Sequence, residues 1–298
     1  MTRLTADLML LAIALIWGAA FVGQAMAMEH MGPLTFTGAR FLLAALAVLP
    51  FALREAKTGP AIPRGRLPAL IGIGVAFFLG CAAQQMALLS TSVTNAGFLT
   101  ALYVVMVPAF AAIAALIWPG LRAPAALHPA IWPAAVLSLG GTFLLGGSLD
   151  GLNRGDALVV FGAVFWAVQI LALSALALDL RRPITIALTQ YIVTAALGLA
   201  AGFIFETPSW DAALMVWREL AYTGIVSGGL AFTLQAIAQA YTPPSDAAIL
   251  VSTESLFAAA FGALLLGDRL SMSGWFGAAL VLAAVLLVQL GPLYYARR

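Results

Sequence analysis

DLMLLAIALIWGAAFV at residues 7–22 and DALVVFGAVFWAVQIL at residues 156–171 are the two stretches that decide the fold. Each begins with an aspartate, continues as an apolar run, and places a tryptophan ten residues after the aspartate, at Trp17 and Trp166. Equivalent positions are 149 residues apart, which is half of the 298-residue chain. The chain is therefore expected to consist of two related halves, residues 1–150 and 151–298.

Pairs of rarer residues extend this repeat along the chain in the same order. The offset between partners lies between 143 and 151 residues and changes only between apolar segments, as insertions and deletions in loops would change it. Chance matches of alanine and leucine do not enter this comparison. The further pairs are Pro33/Pro183, Thr35/Thr185, Arg40/Gln190, Phe41/Tyr191, Gln84/Gln235, Thr91/Thr242, Phe110/Phe261 and Trp132/Trp275.

The composition is that of a membrane protein. Apolar residues make up 63% of the chain and charged residues only 9%, whereas a water-soluble protein has about 25% charged residues. Apolar runs of about 20 residues, long enough to cross the hydrocarbon layer, recur throughout, and in lipid such runs form helices because the peptide groups have no other hydrogen-bond partners. The ten predicted spans are residues 7–28, 33–53, 67–89, 93–117, 128–147, 155–177, 183–204, 216–240, 244–266 and 272–292.

The predicted fold class is an all-α, polytopic membrane protein of ten transmembrane helices in two inverted five-helix repeats. Residues 1–150 hold helices 1–5 and residues 151–298 hold helices 6–10. Because five is odd, the second repeat enters the membrane in the opposite direction. Inverted repeats are typical of secondary transporters that rock around a midplane site, although channels use them as well.

The distribution of basic residues predicts the orientation. Ten Lys or Arg residues lie in the N-terminus, the even-to-odd loops and the C-terminus, against three in the opposite loops. Basic residues favour the cytoplasmic side. We therefore expect a multi-pass protein of the bacterial inner membrane with both termini in the cytoplasm.

Several classes of function are disfavoured. The single cysteine, Cys81, excludes an internal disulfide and a cysteine-based metal site, and no cofactor or metal is expected. A membrane-embedded enzyme would need convergent catalytic groups, yet only Glu254 among the twelve acidic residues is predicted near the midplane. The net charge of +2 gives no reason to expect nucleic acid. The expected partners are a small-molecule substrate and the lipid bilayer, and the oligomeric state stays open.

Five short motifs occur in order along both halves of the chain: WGAAF at residues 17–21, RF at 40–41, Pro108, ESLF at 254–257 and GD at 267–268. Together they resemble the EamA family of the drug/metabolite transporter superfamily, with the closest likeness to YddG-type aromatic amino-acid exporters. Two positions depart from the family pattern, Ser255 where proline is usual and Asp268 where glutamate is usual. Without proline at 255, the usual cause of a kink in helix nine is missing.

The resemblance implies a secondary transporter that exports small metabolites, most of all neutral or aromatic amino acids, by alternating access. An efflux carrier for organic cations or drugs is the alternative, since an aromatic cavity with few charges would also suit a flat cation.

Polar and ionisable residues at bilayer depth are the candidate site residues, because burying them in lipid is costly. Glu254 could pair with a substrate amine or carry a proton, or be a neutral structural residue. Arg40 lies about 10 Å deep at the standard helical rise and could bind substrate or snorkel to the interface.

The two mid-span tryptophans could line a central cavity or face lipid, and the glutamines could bind substrate or join helices. Asp7, Asn95, Asp156 and Asp246 lie near helix starts, where helix capping would explain them. The candidate substrate-binding residues are Trp17, Arg40, Gln84, Tyr103, Trp166, Gln235 and Glu254.

Overall fold

A computed structural model describes residues 1–117, 129–146, 153–261 and 271–295, and within these ranges every regular element is helical. Eight helical segments in the described ranges are long and apolar enough to cross a bilayer, and Ile131–Leu145 forms a shorter apolar helix. Large apolar side chains such as Phe203, Ile204 and Phe205 are more than 70% exposed on the outer surface. These features are those of a multi-pass membrane protein.

The helices follow one another with short connections. A 3-10 turn at Arg64–Arg66 precedes α3, and a π-helix at Tyr222–Ala231 joins α10 to α11. The α-helices are α1 Arg3–Ala27, α2 Pro33–Thr58, α3 Leu67–Ala87, α4 Val93–Thr100, α5 Tyr103–Ile117, α6 Ile131–Gly146, α7 Arg154–Leu180, α8 Pro183–Phe205, α9 Trp210–Met215, α10 Trp217–Ala221, α11 Phe232–Ala238, α12 Pro244–Val251, α13 Glu254–Phe261 and α14 Met272–Tyr295.

Helix starts agree with the sequence where a proline or a capping side chain marks them. Pro33, Pro183 and Pro244 each begin a helix, because proline is preset for the first helical turn and its missing N–H is not needed there. Ser92 caps α4 through its side chain, which accepts from the backbone N–H of Asn95. The predicted span 244–266 is described only as far as residue 261, and Asp268 lies outside the described residues.

Two predicted continuous spans are each broken in the middle. Between α4 and α5, the N–H of Leu102 donates to the carbonyl of Leu99 (3.2 Å), and between α12 and α13 the N–H of Thr253 donates to the carbonyl of Leu250 (3.3 Å). These tighter bonds to the third preceding residue interrupt the α-helical pattern. The two breaks are 151 residues apart, so they fall at equivalent positions of the two halves.

The second break forms without a proline at position 255. Side-chain hydroxyls compete with the helix instead, since Ser252 and Thr253 donate to the carbonyls of Ile249 and Leu250, at 2.7 Å in each case. Such local bonds weaken a helix interior. Ser255, which stands where proline is usual, put the kink of helix nine in question, and the structure has a break there without a proline.

Acidic residues join the two halves at one end of the helix bundle, which we call the Asp7 end. The hydroxyl of Thr242 donates to Asp7 (2.6 Å), and Arg3 forms ion pairs with Asp7 (3.5 Å) and with Asp246. Asp7 lies in the second turn of α1, where it joins helices instead of capping one.

The opposite end, which we call the Asp156 end, carries the reciprocal contacts. Thr91 donates to Asp156, and the amide of Asn95 donates to the same carboxylate oxygen (2.7 Å). Asp156 also forms a capping box with Asn153, which confirms its predicted capping role. Each threonine therefore bonds to the aspartate of the other half of the chain.

A second reciprocal set of bonds caps two helices. The carboxylate of Glu206 accepts from the backbone N–H groups of Leu34 and Thr35 (2.8 Å each), at the start of α2. The carboxylate of Glu55 accepts from the N–H groups of Ile184 (3.0 Å) and Thr185 (2.7 Å), at the start of α8. An acidic group at a helix N-terminus satisfies unpaired N–H groups and stabilises the helix dipole.

The π-helix lies directly against α2. A Cβ atom on Gly224 would stand 2.8 Å from the carbonyl oxygen of Arg40, so only glycine allows this approach. The two α2–α8 partners Gly38 and Gly198 meet in the same way, with less than 3 Å between an added Cβ and the facing backbone. Small residues let membrane helices approach closely, and here they hold α2 with its arginine against the centre of the bundle.

Candidate functional site

One cavity in the centre of the bundle is lined by all seven candidate residues. The atom-free space at this cavity is about 520 Å³, a volume that includes the space at its open side. The structure therefore brings together residues from α1, α2, α3, α5, α7, α11 and α13. The other lining residues, which the sequence did not single out, are Phe21, Gln24, Thr100, Ile170, Ser227, Phe232 and Val251.

Three aromatic rings form one wall of this cavity. The ring of Phe232 lies 4.3 Å from that of Trp17 and 5.9 Å from that of Trp166, and it is parallel to the latter within 3°. The Nε1 of Trp17 donates to the carbonyl of Ser227 (3.1 Å), which fixes that indole. The two tryptophans predicted by the repeat thus face the same space, with Phe232 between them.

Glu254 and Tyr103 meet in the cavity. The phenol of Tyr103 donates to a carboxylate oxygen of Glu254 at 3.4 Å, and both side chains are buried. Each is the first residue after a helix break, so the two breaks aim them at each other. They are also 151 residues apart, a pairing that the rarer-residue comparison did not reveal because the two residue types differ.

Arg40 does not extend to the interface, since it is only 5% exposed and lines the cavity. Its guanidinium lies over the rings of Phe41 (4.8 Å) and Phe36 (5.7 Å). Its Nε has no hydrogen-bond partner, and among the described residues it forms no ion pair. A buried guanidinium with an unused N–H donor is able to bind an anionic group.

The two glutamines related by the repeat, Gln84 and Gln235, both line the cavity and are buried. The Oε1 of Gln235 has no hydrogen-bond partner. Their neighbour Gln85 instead joins helices, donating to the carbonyl of Gln24 (3.2 Å). Within the described residues, no three His, Cys, Asp or Glu side chains come together as metal ligands.

A multi-pass helical protein with a polar, aromatic-walled cavity at its centre is built as a membrane transport protein. The profile of the EamA-like transporter family matches the chain twice, over residues 4–146 and 153–290. The chain belongs to this family.

Relatives agree with this assignment. The chain is 34% identical over 290 residues to an uncharacterized transporter of Archaeoglobus fulgidus, a match that covers 97% of this chain and 87% of that protein. A protein of known crystal structure superposes with a TM-score of 0.78 at 20% identity, over 97% of this chain and 98% of that one. The latter similarity shows the fold alone.

Proposed function

We propose that this protein exports neutral amino acids, aromatic ones in particular, from the bacterial cytoplasm by alternating access. The observation that carries the proposal is that one buried cation, Arg40, and one buried carboxylate, Glu254, line the same cavity, which has an aromatic wall. A neutral amino acid presents a carboxylate, an ammonium group and an apolar side chain, and the cavity offers a complement to each.

Arg40 is the partner proposed for the substrate carboxylate, because a guanidinium binds a planar carboxylate through two parallel N–H donors. Glu254 is the partner proposed for the ammonium group, helped by the faces of Trp17 and Trp166, which attract cations. Gln84 and Gln235 supply neutral donors and acceptors, and Tyr103 holds Glu254 in place.

Reciprocal bonding supports the proposal of two inverted five-helix repeats, residues 1–150 and 151–298. Thr242 of the second half bonds to Asp7 of the first half at one end of the bundle. Thr91 of the first half bonds to Asp156 of the second half at the other end. The Glu55 and Glu206 caps repeat this exchange. Counting α4 with α5, α9 to α11 together, and α12 with α13 gives ten spans.

The inverted arrangement of the two repeats is the basis of the proposed alternating access. The two ends carry matching sets of inter-repeat bonds, and breaking one set at a time would open the cavity to one side while the other stays closed. The excess of basic residues in the termini and the even-to-odd loops supports the proposal that both termini lie in the cytoplasm. Reporter fusions at the C-terminus, one active only inside the cell and one only outside, test that placement.

Export of organic cations is the second candidate, and it is favoured by Glu254 together with the three aromatic rings. A cation carrier has no use for Arg40, whereas an amino-acid carrier needs it. The two functions therefore predict opposite results for the same variant.

The test is counterflow of radiolabelled phenylalanine and methionine in proteoliposomes. Arg40→Gln, which installs the residue found at the equivalent position 190, should reduce exchange at least about tenfold, the loss expected when a charged hydrogen-bond partner is removed. The control is Arg66→Gln, which removes an arginine from an exposed ion pair with Asp179. Unchanged phenylalanine exchange in Arg40→Gln, or the absence of neutral amino-acid exchange in the wild type alongside cation efflux, contradicts the amino-acid proposal.

A second measurement addresses coupling. Imposing a pH gradient on the same vesicles distinguishes proton antiport from facilitated exchange. If Glu254 carries the coupling proton, Glu254→Gln will retain exchange but lose gradient-driven accumulation. If the wild type shows no accumulation under a gradient, the protein is a facilitated carrier and Glu254 is a binding residue only.

A further inference from the structure

One pair of equivalent positions at the wall of the cavity holds very different residues. The 151-residue offset that relates Gln84 to Gln235 also relates Cys81 to Phe232. Cys81 is fully buried and small, whereas Phe232 is a large ring that lines the cavity. Equivalent positions of the repeat therefore hold side chains of very different volume, directly beside the candidate site.

This difference changes what the two positions contribute to the cavity. Cys81 is buried and does not line the cavity. The ring of Phe232 lines the cavity between the rings of Trp17 and Trp166. The second half therefore adds to the cavity wall a large ring that has no equivalent in the first half.

Arg40 and its counterpart Gln190 also differ between the two halves. Gln190, the counterpart of Arg40, is buried and accepts a hydrogen bond from Gln169 at 2.9 Å. It does not line the cavity. In the second half, the polar side chain of Gln190 is therefore used in a hydrogen bond between two helices. The apolar ring of Phe232 lines the cavity instead.

We infer that Phe232 is the specificity-determining residue that limits the size of the substrate side chain. This inference rests on the proposed function, because it treats the central cavity as the substrate site. The charged groups hold the two ends of an amino acid, so its side chain lies against the aromatic wall. Phe232 lies between the two indoles of that wall and is held by packing, whereas the indole of Trp17 is fixed by its bond to Ser227.

Phe77 provides a matched control. Its ring packs edge-on against Phe232 at 4.7 Å and against Trp166 at 5.5 Å, so it belongs to the same aromatic cluster. It is fully buried and does not line the cavity. Replacing Phe77 by leucine therefore perturbs the packing behind the wall without adding volume to the cavity.

The experiment measures the affinity of purified wild type, Phe232→Leu and Phe77→Leu for alanine, methionine, phenylalanine and tryptophan. The expected result is that Phe232→Leu raises the affinity for tryptophan relative to methionine at least about tenfold, the size of discrimination that small changes in pocket volume produce. Phe77→Leu should leave this ratio within about threefold of the wild type. A ratio that stays unchanged in Phe232→Leu, or that changes equally in both variants, overturns the inference.

A second ligand series separates this inference from the proposed function. The same three proteins are titrated with tetramethyl-, tetraethyl- and tetrapropylammonium. If the wild type binds only these cations and Phe232→Leu shifts their size preference upward, the size limit holds and the amino-acid proposal fails. If amino acids bind with an unchanged size preference, the proposed function holds and the size limit fails. If none of the three proteins binds any ligand of either series, both the proposed function and the size limit are overturned.

Discussion

Removing the charge on Arg3 is expected to weaken the Asp7 end of the bundle, and a single substitution at Asp246 should abolish that weakness. Arg3 pairs with both Asp7 and Asp246. At the opposite end, the position equivalent to Asp246 is Asn95, whose neutral amide donates to Asp156. One end therefore needs a cation to bring two carboxylates together, and the other does not.

The magnitude follows from burial. The side chains of Asp7 and Asp246 are 3% and 1% exposed, but that of Arg3 is 38% exposed. Removing one partner of a fully buried ion pair costs about 3–5 kcal/mol, and an exposed pair contributes about 0.2–1 kcal/mol. Arg3→Ala should accordingly lower the free energy of unfolding by about 1–3 kcal/mol, because solvent screens part of the interaction.

Asp246→Asn supplies at the Asp7 end the amide that Asn95 supplies at the Asp156 end. In that background, Arg3→Ala should cost less than about 1 kcal/mol, which gives a coupling of about 1–2 kcal/mol in the double-mutant cycle. The cycle also cancels any effect of Asp246→Asn on the other contacts of that residue. The Arg66–Asp179 pair, 2.9 Å apart and exposed on both sides, is the control.

The assay is equilibrium unfolding in mixed detergent micelles, followed by tryptophan fluorescence for the four proteins of the cycle. Arg66→Ala should change the free energy of unfolding by less than about 1 kcal/mol. If Arg3→Ala costs the same in both backgrounds, or no more than Arg66→Ala, the cation is not what holds the two carboxylates together and the reasoning is refuted.

Two further predictions use the same assay. Glu55→Gln and Glu206→Gln should each lower the free energy of unfolding by about 1–3 kcal/mol, because each removes charge-assisted bonds at a helix start; a loss in only one of them would contradict the equivalence of the two caps. Gly224→Ala should cost about 1–3 kcal/mol, because its Cβ would stand 2.8 Å from the carbonyl oxygen of Arg40. Gly72→Ala, where nothing lies within 4 Å of an added Cβ, should be neutral or slightly stabilising, and equal losses in the two alanine variants would refute the close-packing argument.

The sequence predicts the cavity residues well because the depth of a residue in an apolar run and its recurrence at a fixed offset can both be read from the sequence alone. Trp17 and Trp166 stand out as rare residues at one offset within apolar runs, and a charged residue at membrane depth, such as Arg40 or Glu254, is costly unless it faces a protected interior. All four line the cavity. Whether they bind a substrate stays a prediction.

Phe232 could not be predicted in this way. A phenylalanine in an apolar span is ordinary, and its counterpart Cys81 gives no matching pair. Its role follows from contacts between helices distant in sequence, which an apolar pattern does not encode. The first helix break was missed for a related reason, since Ala101 and Leu102 continue the apolar run. At the second break the residues are polar, but only the structure shows that the hydroxyls of Ser252 and Thr253 bond to the helix backbone.

The places where the halves agree and the places where they differ have different consequences. Bonds that are reciprocal between the halves lie at the two ends of the bundle. In the cavity, Trp17 matches Trp166 and Gln84 matches Gln235, but Tyr103 is equivalent to Glu254, and Arg40 is equivalent to Gln190, which does not line the cavity. A cavity with two identical walls would present the same groups to both ends of a substrate, whereas a zwitterion has one acidic and one basic end. Under the proposed function, the symmetric frame provides for movement and the unequal walls provide for recognition, so substitutions at the ends should change exchange rates while substitutions such as Arg40→Gln change which solute binds.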